Sequence, residues 1–190
     1  MKLLHLALAG AMMAASFTAP AFAASNANTM TIQLKDGPVV VQLMPELAPK
    51  HVAQIKALAA KGEYDNVVFH RVIDGFMAQT GDVQFGKQGG KSFAPARAGM
   101  GGSDLPDIPA EFSRTPFERG VVGMARSQSP NSANSQFFIM FTKYPSLDGQ
   151  YTVVGKVVSG MENVDKIKKG AGSNGEVSDP DRMLKVTVGQ

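Results

Sequence analysis

From residue 29 onward the chain returns repeatedly to one pattern: a short run of alternating or wholly apolar residues, ended by glycine or a turn pair. Residues 29–34 and 39–43 flank Asp36-Gly37 and read as an antiparallel hairpin. Further strand patterns lie at 66–73, 120–125, 136–141, 151–158 and 183–188. Only two stretches have helical spacing. After Pro45 to Pro49, the residues Val52, Ile55, Leu58 and Ala59 share one face, with Gly62 as a stop. Later Met161, Val164 and Ile167 recur at a similar spacing and Gly170 ends the run. Many short strands with two helices predict a mainly β fold, and a closed antiparallel barrel would leave no sheet edge exposed. Residues 81–109 lose periodicity and carry Gly89-Gly90, Gly99 and Gly101-Gly102, the marks of a long loop beside the strands and of local mobility. No internal repeat or interdomain linker interrupts the pattern.

The N-terminus follows a different rule. Lys2 supplies a positive charge, residues 3–15 are apolar apart from His5, and Ala21-Phe22-Ala23 has the small-x-small form of a cleavage site. A short buried helix or an uncleaved anchor is the competing reading. The apolar run is short of the ~20 residues that span a bilayer. The expected organisation is a signal peptide over 1–23, a flexible lead-in over 24–30 and one domain over 31–190. Such a chain would be exported to the periplasm or beyond, with no membrane contact after the signal is removed.

Cysteine is absent, which removes thiol catalysis, thiolate metal sites and disulfides. The net charge of +3 is small and scattered, without the basic stripe of a nucleic-acid binder. Beyond the leader only His51 and His70 remain, on different elements and without metal-ligand spacing. No Gly-x-Ser-x-Gly elbow is present, and the glycines at 99–102 are not followed by Lys-Ser/Thr as in a phosphate loop. No segment suggests an assembly interface, so a monomer is expected.

Two segments carry chemistry. The first is Phe69-His70-Arg71-Val72-Ile73-Asp74-Gly75-Phe76-Met77-Ala78-Gln79. Strand alternation sends His70 and Arg71 to opposite faces, and Gly75 permits a bend before Phe76. An arginine sharing a surface with phenylalanine and methionine suits a ligand that joins an apolar ring to a polar amide, as proline does within a peptide. The second segment is Gly123-Met124-Ala125-Arg126 followed by Pro130-Asn131-Ser132-Ala133-Asn134-Ser135-Gln136-Phe137-Phe138-Ile139. Each residue alone has a plainer reading. Arg71 would be an ion-paired surface arginine, Phe76, Met77 and Phe138 core residues, and His70 a structural histidine.

Taken together, at this order and spacing, the two segments resemble the cyclophilin family of peptidyl-prolyl cis-trans isomerases. The likeness extends from 31 to 188 and includes Leu47-Ala48-Pro49-Lys50, Leu147-Asp148-Gly149, Val154-Gly155-Lys156-Val157-Val158 and Gly160-Met161. It implies an eight-stranded barrel with a helix over each open end and a substrate groove on the outer wall. It also implies an isomerase that acts on proline-containing segments of unfolded or exported polypeptides and needs no cofactor. A non-catalytic module that holds such segments is the alternative. Arg71 with its supporting Gln79 separates the two readings, because a pure binder needs no donor at the rotating amide.

The resemblance makes Arg71 the catalytic donor and Gln79 the residue that orients it. Phe76, Met77, Phe138 and Leu147 would form the proline pocket. Gln136 and the backbone at Ala125 and Arg126 would hold the preceding residues extended, with His70 and Tyr151 lining the site and donating hydrogen bonds. The chain departs from the family pattern at Asp74, often proline, and at Arg126, often asparagine. Ser146 and Tyr151 stand where many eukaryotic members carry tryptophan and histidine. The missing indole implies weak binding of cyclosporin, the family's inhibitor.

Overall fold

The computed structural model describes residues 26–189; the expected signal peptide lies outside them. A 3-10 turn at Asn26–Asn28 leads straight into strand β1 (Thr29–Leu34), which pairs across a tight turn with β2 (Gly37–Leu43). Within the expected lead-in, residues 27 and 28 are anchored: the Lys56 ammonium donates to the Ala27 carbonyl and the Asn28 side chain. In β1, Met30, Ile32 and Leu34 point inward while the alternating Thr29, Thr31 and Gln33 are less buried, as a half-covered strand requires.

The remaining strands are β3 (Val67–Val68), β4 (Arg71–Ile73), β5 (Met77–Thr80), β6 (Val121–Met124), β7 (Phe137–Met140), β8 (Val153–Ser159), β9 (Arg182–Met183) and β10 (Lys185–Val188). Eight of them form one curled sheet in the order β10-β1-β2-β8-β6-β7-β5-β4, every pair antiparallel. The single strand expected over 66–73 is broken at Phe69 and His70 into β3 and β4, and the last strand into β9 and β10. Those breaks make the seam. β3 leaves the main sheet to pair with β9, joining the two ends of the sheet over two residues. The exposed side of β4 is covered by the segment at 170–177, where the Val72 amide donates to the Gly175 carbonyl and the Gly170 amide to the Val72 carbonyl. The short β5 is absent from the periodicity reading, because Met77-Ala78-Gln79-Thr80 is too brief and mixed to show a strand signal.

Helix α1 (Pro49–Ala60) buries His51, Val52, Ile55, Leu58 and Ala59 against the inward strand residues. Proline at its first turn wastes no amide, and no local side chain caps it. The Glu111 carboxylate does so from the long loop, accepting from the Lys50 and His51 amides and meeting His51 Nδ1 at 2.6 Å. Helix α2 (Met161–Asp165) is shorter than its periodicity suggests. Ile167 still packs inward, but the Lys168 amide turns to the Asp181 carboxylate and the chain leaves for the seam.

The interior is one apolar cluster of inward strand residues, among them Val72, Ala78, Val122, Phe137, Ile139 and Val154, with both helices covering it. A second cluster lies on the outer wall: Met77, Phe117, Val121, Phe138, Met140, Leu147 and Val153. β6 and β7 are therefore buried on both faces, which explains their unbroken apolar sequence.

Gly160 joins β8 to α2 at φ +83°, and an added Cβ would sit 2.1 Å from the Pro38 carbonyl oxygen. Gly160→Ala is expected to cost at least about 2 kcal/mol, from left-handed strain plus displacement of β2. Urea denaturation measures it, and a loss below about 0.5 kcal/mol would show that the α2 junction tolerates the shift.

Candidate active site

The register of the outer wall brings the first chemical segment to the second. Arg71 on β4 stands directly opposite Gln79 on β5, Gln79 opposite Phe138 on β7, and Phe138 opposite Gly123 on β6. Directly paired residues share a sheet face, so these four form one row across the outside of the barrel. Glycine is required at the end of the row: a Cβ at Gly123 would lie 2.6 Å from both the Phe117 and Phe138 rings. One step along, Ile73, Met77 and Met140 form a parallel row on the same face.

A pocket of about 210 Å³ opens on this wall, lined by Arg71, Phe76, Met77, Gln79, Ala125, Arg126, Phe138, Leu147 and Tyr151. Its floor is apolar and rigidly packed. Phe138 stacks on Phe117 with centroids 5.8 Å apart, and Tyr151 meets both rings edge-on. Phe76 packs on Tyr144 at 4.5 Å. Leu147 is carried by the 3-10 turn Pro145–Leu147.

Two guanidinium groups face this apolar floor, and neither has a carboxylate partner among the described residues. Arg71 donates from Nε to the Asn174 carbonyl at 3.0 Å and from Nη1 to Gln79 Oε1 at 3.4 Å. Its Nη2 has no hydrogen-bond partner among the described residues. Gln79 in turn donates to Gln136 Oε1 at 3.0 Å, and Gln136 Nε2 donates to the carbonyls of Gly99 and Gly101 at 2.9 and 2.8 Å. This amide relay fixes which end of each glutamine points which way.

A family model described as cyclophilin type peptidyl-prolyl cis-trans isomerase/CLD matches residues 29–188. The chain belongs to this family. A probable peptidyl-prolyl cis-trans isomerase of Brucella suis is 64% identical over 169 residues, covering 88% of this chain and 86% of the relative. Among solved structures, a cyclophilin type peptidyl-prolyl cis-trans isomerase of Cryptosporidium parvum superposes with a TM-score of 0.72 at 26% identity, over 86% of this chain and 98% of the other. The same protein crystallised in the presence of the dipeptide Ala-Pro gives 0.70 at 26% identity, over 85% and 99% of the two chains.

Within this cyclophilin, nine of the eleven residues singled out in the sequence meet at the one pocket. Gln136 does not line it but faces the adjoining hollow of about 400 Å³, with Gln79, Ala125 and Arg126 shared between the two. His70 is not brought to either. Its ring packs beneath Gly99 and lines a separate hollow with Phe93, Pro95 and Glu176, because the chain leaves the strand at Phe69 and His70 before β4 begins. Both ring nitrogens are buried and neither reaches a residue that lines the pocket, so the expected donation into it has no geometric basis.

The loop beside the groove is tied down rather than free. Asp82, fully buried, accepts hydrogen bonds from the amides of Gln84, Phe85, Gly99 and Gly101 at 2.7–3.0 Å. With Gln136 taking the carbonyls, residues 99 and 101 are held from both sides. Asn134 braces the next stretch through Ser103 and Leu105. No local motif announced Asp82, since its partners lie in a glycine-rich loop without periodicity. Asp82→Asn removes the charge and replaces one of the two acceptor oxygens with a donor NH2, and is expected to speed amide exchange at Gly99 and Gly101 by about tenfold or more. Hydrogen exchange followed by NMR tests this, with β6 and β7 amides as the unaffected reference.

Burial pushes the His70 imidazole down to about 4, with the Arg71 charge acting the same way and Asp82 opposing. The unfolded chain takes up this proton below about 6.5 while the folded protein resists until about 4. The His70 contribution to stability is therefore flat above that window and falls as pH drops through it, by on the order of 3 kcal/mol. His70→Leu should remove this component, so its urea midpoint should fall less than wild type between pH 7 and 4.5. An equal fall in both proteins would remove His70 from the acid response.

Proposed function

We propose that this cyclophilin accelerates rotation about X-Pro peptide bonds in exported polypeptides, by binding the twisted amide better than either planar form. Rotation is slow because resonance gives the C–N bond double-bond character, a barrier of ~18–20 kcal/mol. Cis and trans forms before proline are close in energy, yet exchange takes tens to hundreds of seconds uncatalysed. No bond between heavy atoms is made or broken, so the chemistry asks for neither a nucleophile nor a cofactor. It asks for differential binding.

The observation that carries this reading is the Arg71 guanidinium, without a carboxylate partner, at the edge of an apolar pocket. Phe76, Met77, Phe138 and Leu147 suit a pyrrolidine ring. As the amide twists, conjugation fails and the proline nitrogen becomes pyramidal, able to accept a hydrogen bond. Arg71 donates to that nitrogen or to the neighbouring carbonyl more strongly in the twisted state, with Gln79 orienting it. Its charge is permanent and its donors are set in a rigid fork. The Ala125 amide is committed to the Gln136 carbonyl, while the Arg126 amide has no partner among the described residues and is open to an extended peptide. Fixing one flank while the other rotates converts binding into torsion. Gln136 supports this flank indirectly, through the 99–101 loop.

Export rests on the leader pattern of Lys2, the apolar run to residue 15 and Ala21-Phe22-Ala23. The periplasm is the proposed location, secretion the variant of it, and the clients are proline-containing segments of newly exported chains.

Arg71→Ala is expected to lower kcat about 100- to 1000-fold on a short X-Pro peptide, with affinity for the peptide changed about fivefold or less. A protease-free cis-to-trans assay and a calorimetric titration read the two quantities. Equal catalysed turnover in both proteins would remove Arg71 from the mechanism, and rates no faster than uncatalysed exchange in both would leave a peptide-holding module.

A further inference from the structure

Arg126 sits where the two hollows of the groove meet, and its surroundings leave its charge unanswered. Nη1 donates to the Ser127 and Gln128 carbonyls at 2.9 and 3.3 Å, and Nη2 to the Gln150 carbonyl at 3.1 Å. The central guanidinium carbon lies over the Tyr151 ring, 4.4 Å from its centroid, and Nε is buried without a partner among the described residues. Carbonyls and a ring face orient a cation without neutralising it. No aspartate or glutamate lines either hollow. The Asp82 carboxylate lies behind the 99–101 loop, fully buried and shielded by four amides. Arg71, the other cation on the groove, is equally unpaired.

We infer that Arg126 is a specificity-determining residue that makes this groove prefer an acidic side chain at the second residue before proline. The inference rests on the isomerase reading of the same site and adds the class of substrate. In an extended peptide, successive side chains point to opposite sides. With the proline ring in the smaller pocket, the residue just before it points away from the wall, and the one before that points back. There it meets the larger hollow, whose shared rim is Ala125, Arg126 and Gln79. A carboxylate at that position lies beside a guanidinium already held in place, so little side-chain freedom is lost on pairing. A lysine there meets two cations and no anion.

The test compares three peptides that differ only at the second residue before proline: glutamate, its uncharged isostere glutamine, and lysine. Both kcat/KM and calorimetric affinity are measured for wild type and for Arg126→Gln. For a partly exposed pair, glutamate is expected to exceed glutamine about two- to fivefold in wild type, with lysine below glutamine. The preference should shrink as salt is raised and collapse toward unity in Arg126→Gln. Comparing peptides within each protein cancels any general loss caused by the substitution. A wild-type ratio of one, or a ratio that survives Arg126→Gln, overturns the inference even if isomerisation is fast. A glutamate preference in binding that depends on Arg126, without turnover of any peptide, supports it and instead defeats the isomerase reading.

Discussion

A strand pleat has two faces, and closing a sheet into a small barrel commits one of them to the core. The candidate site of this cyclophilin stands on the other face. The interior cluster takes Val72, Ala78, Phe137 and Ile139, and the residues between them, Arg71, Gln79, Phe138 and Met140, are thereby turned outward. A one-residue slip in β4, β5 or β7 would send the apolar set into solvent and Arg71 into the barrel. Burial of the inward residues therefore holds the outer row in register.

An outer wall facing water would be a poor place for a dry pocket. Here it carries its own apolar layer, because Phe117 and the turn at Pro145–Leu147 pack back onto β6 and β7. The rings of Phe117, Phe138 and Tyr151 brace one another, and Gly123 leaves the room in which two of them lie. Against that floor the polar groups are held at a distance from the barrel by a relay running from Arg71 through Gln79 and Gln136 to the 99–101 loop. The relay ends at the buried Asp82 carboxylate. A loop that composition marks as pliable is in this way joined to the wall at both its amides and its carbonyls.

Much of this was legible in the residues. The hairpin at Asp36-Gly37, the buried face of α1 and the apolar runs of β6 to β8 follow from period and turn chemistry, which are local. The pocket residues were found through two segments whose joint spacing resembles one family. His70 lines a neighbouring hollow beneath Gly99, because the chain leaves the strand before β4 begins. The break of the 66–73 strand, the brevity of α2 and the role of Asp82 were not legible. Each depends on partners more than ten residues away: Met183, Asp181, and the amides of Gly99 and Gly101.

By itself the sequence determined which side chains alternate, where the chain turns, and that one arginine lies in the same short segment as phenylalanine and methionine. It determined these because pleat, turn and helix period act over a few residues. Only the tertiary structure decided that the wall closes through β3 and β9, that Arg71 meets no carboxylate, and that Arg126 lies over Tyr151 between two hollows. Those outcomes turn on which distant groups arrive within hydrogen-bond or stacking distance once the barrel has closed.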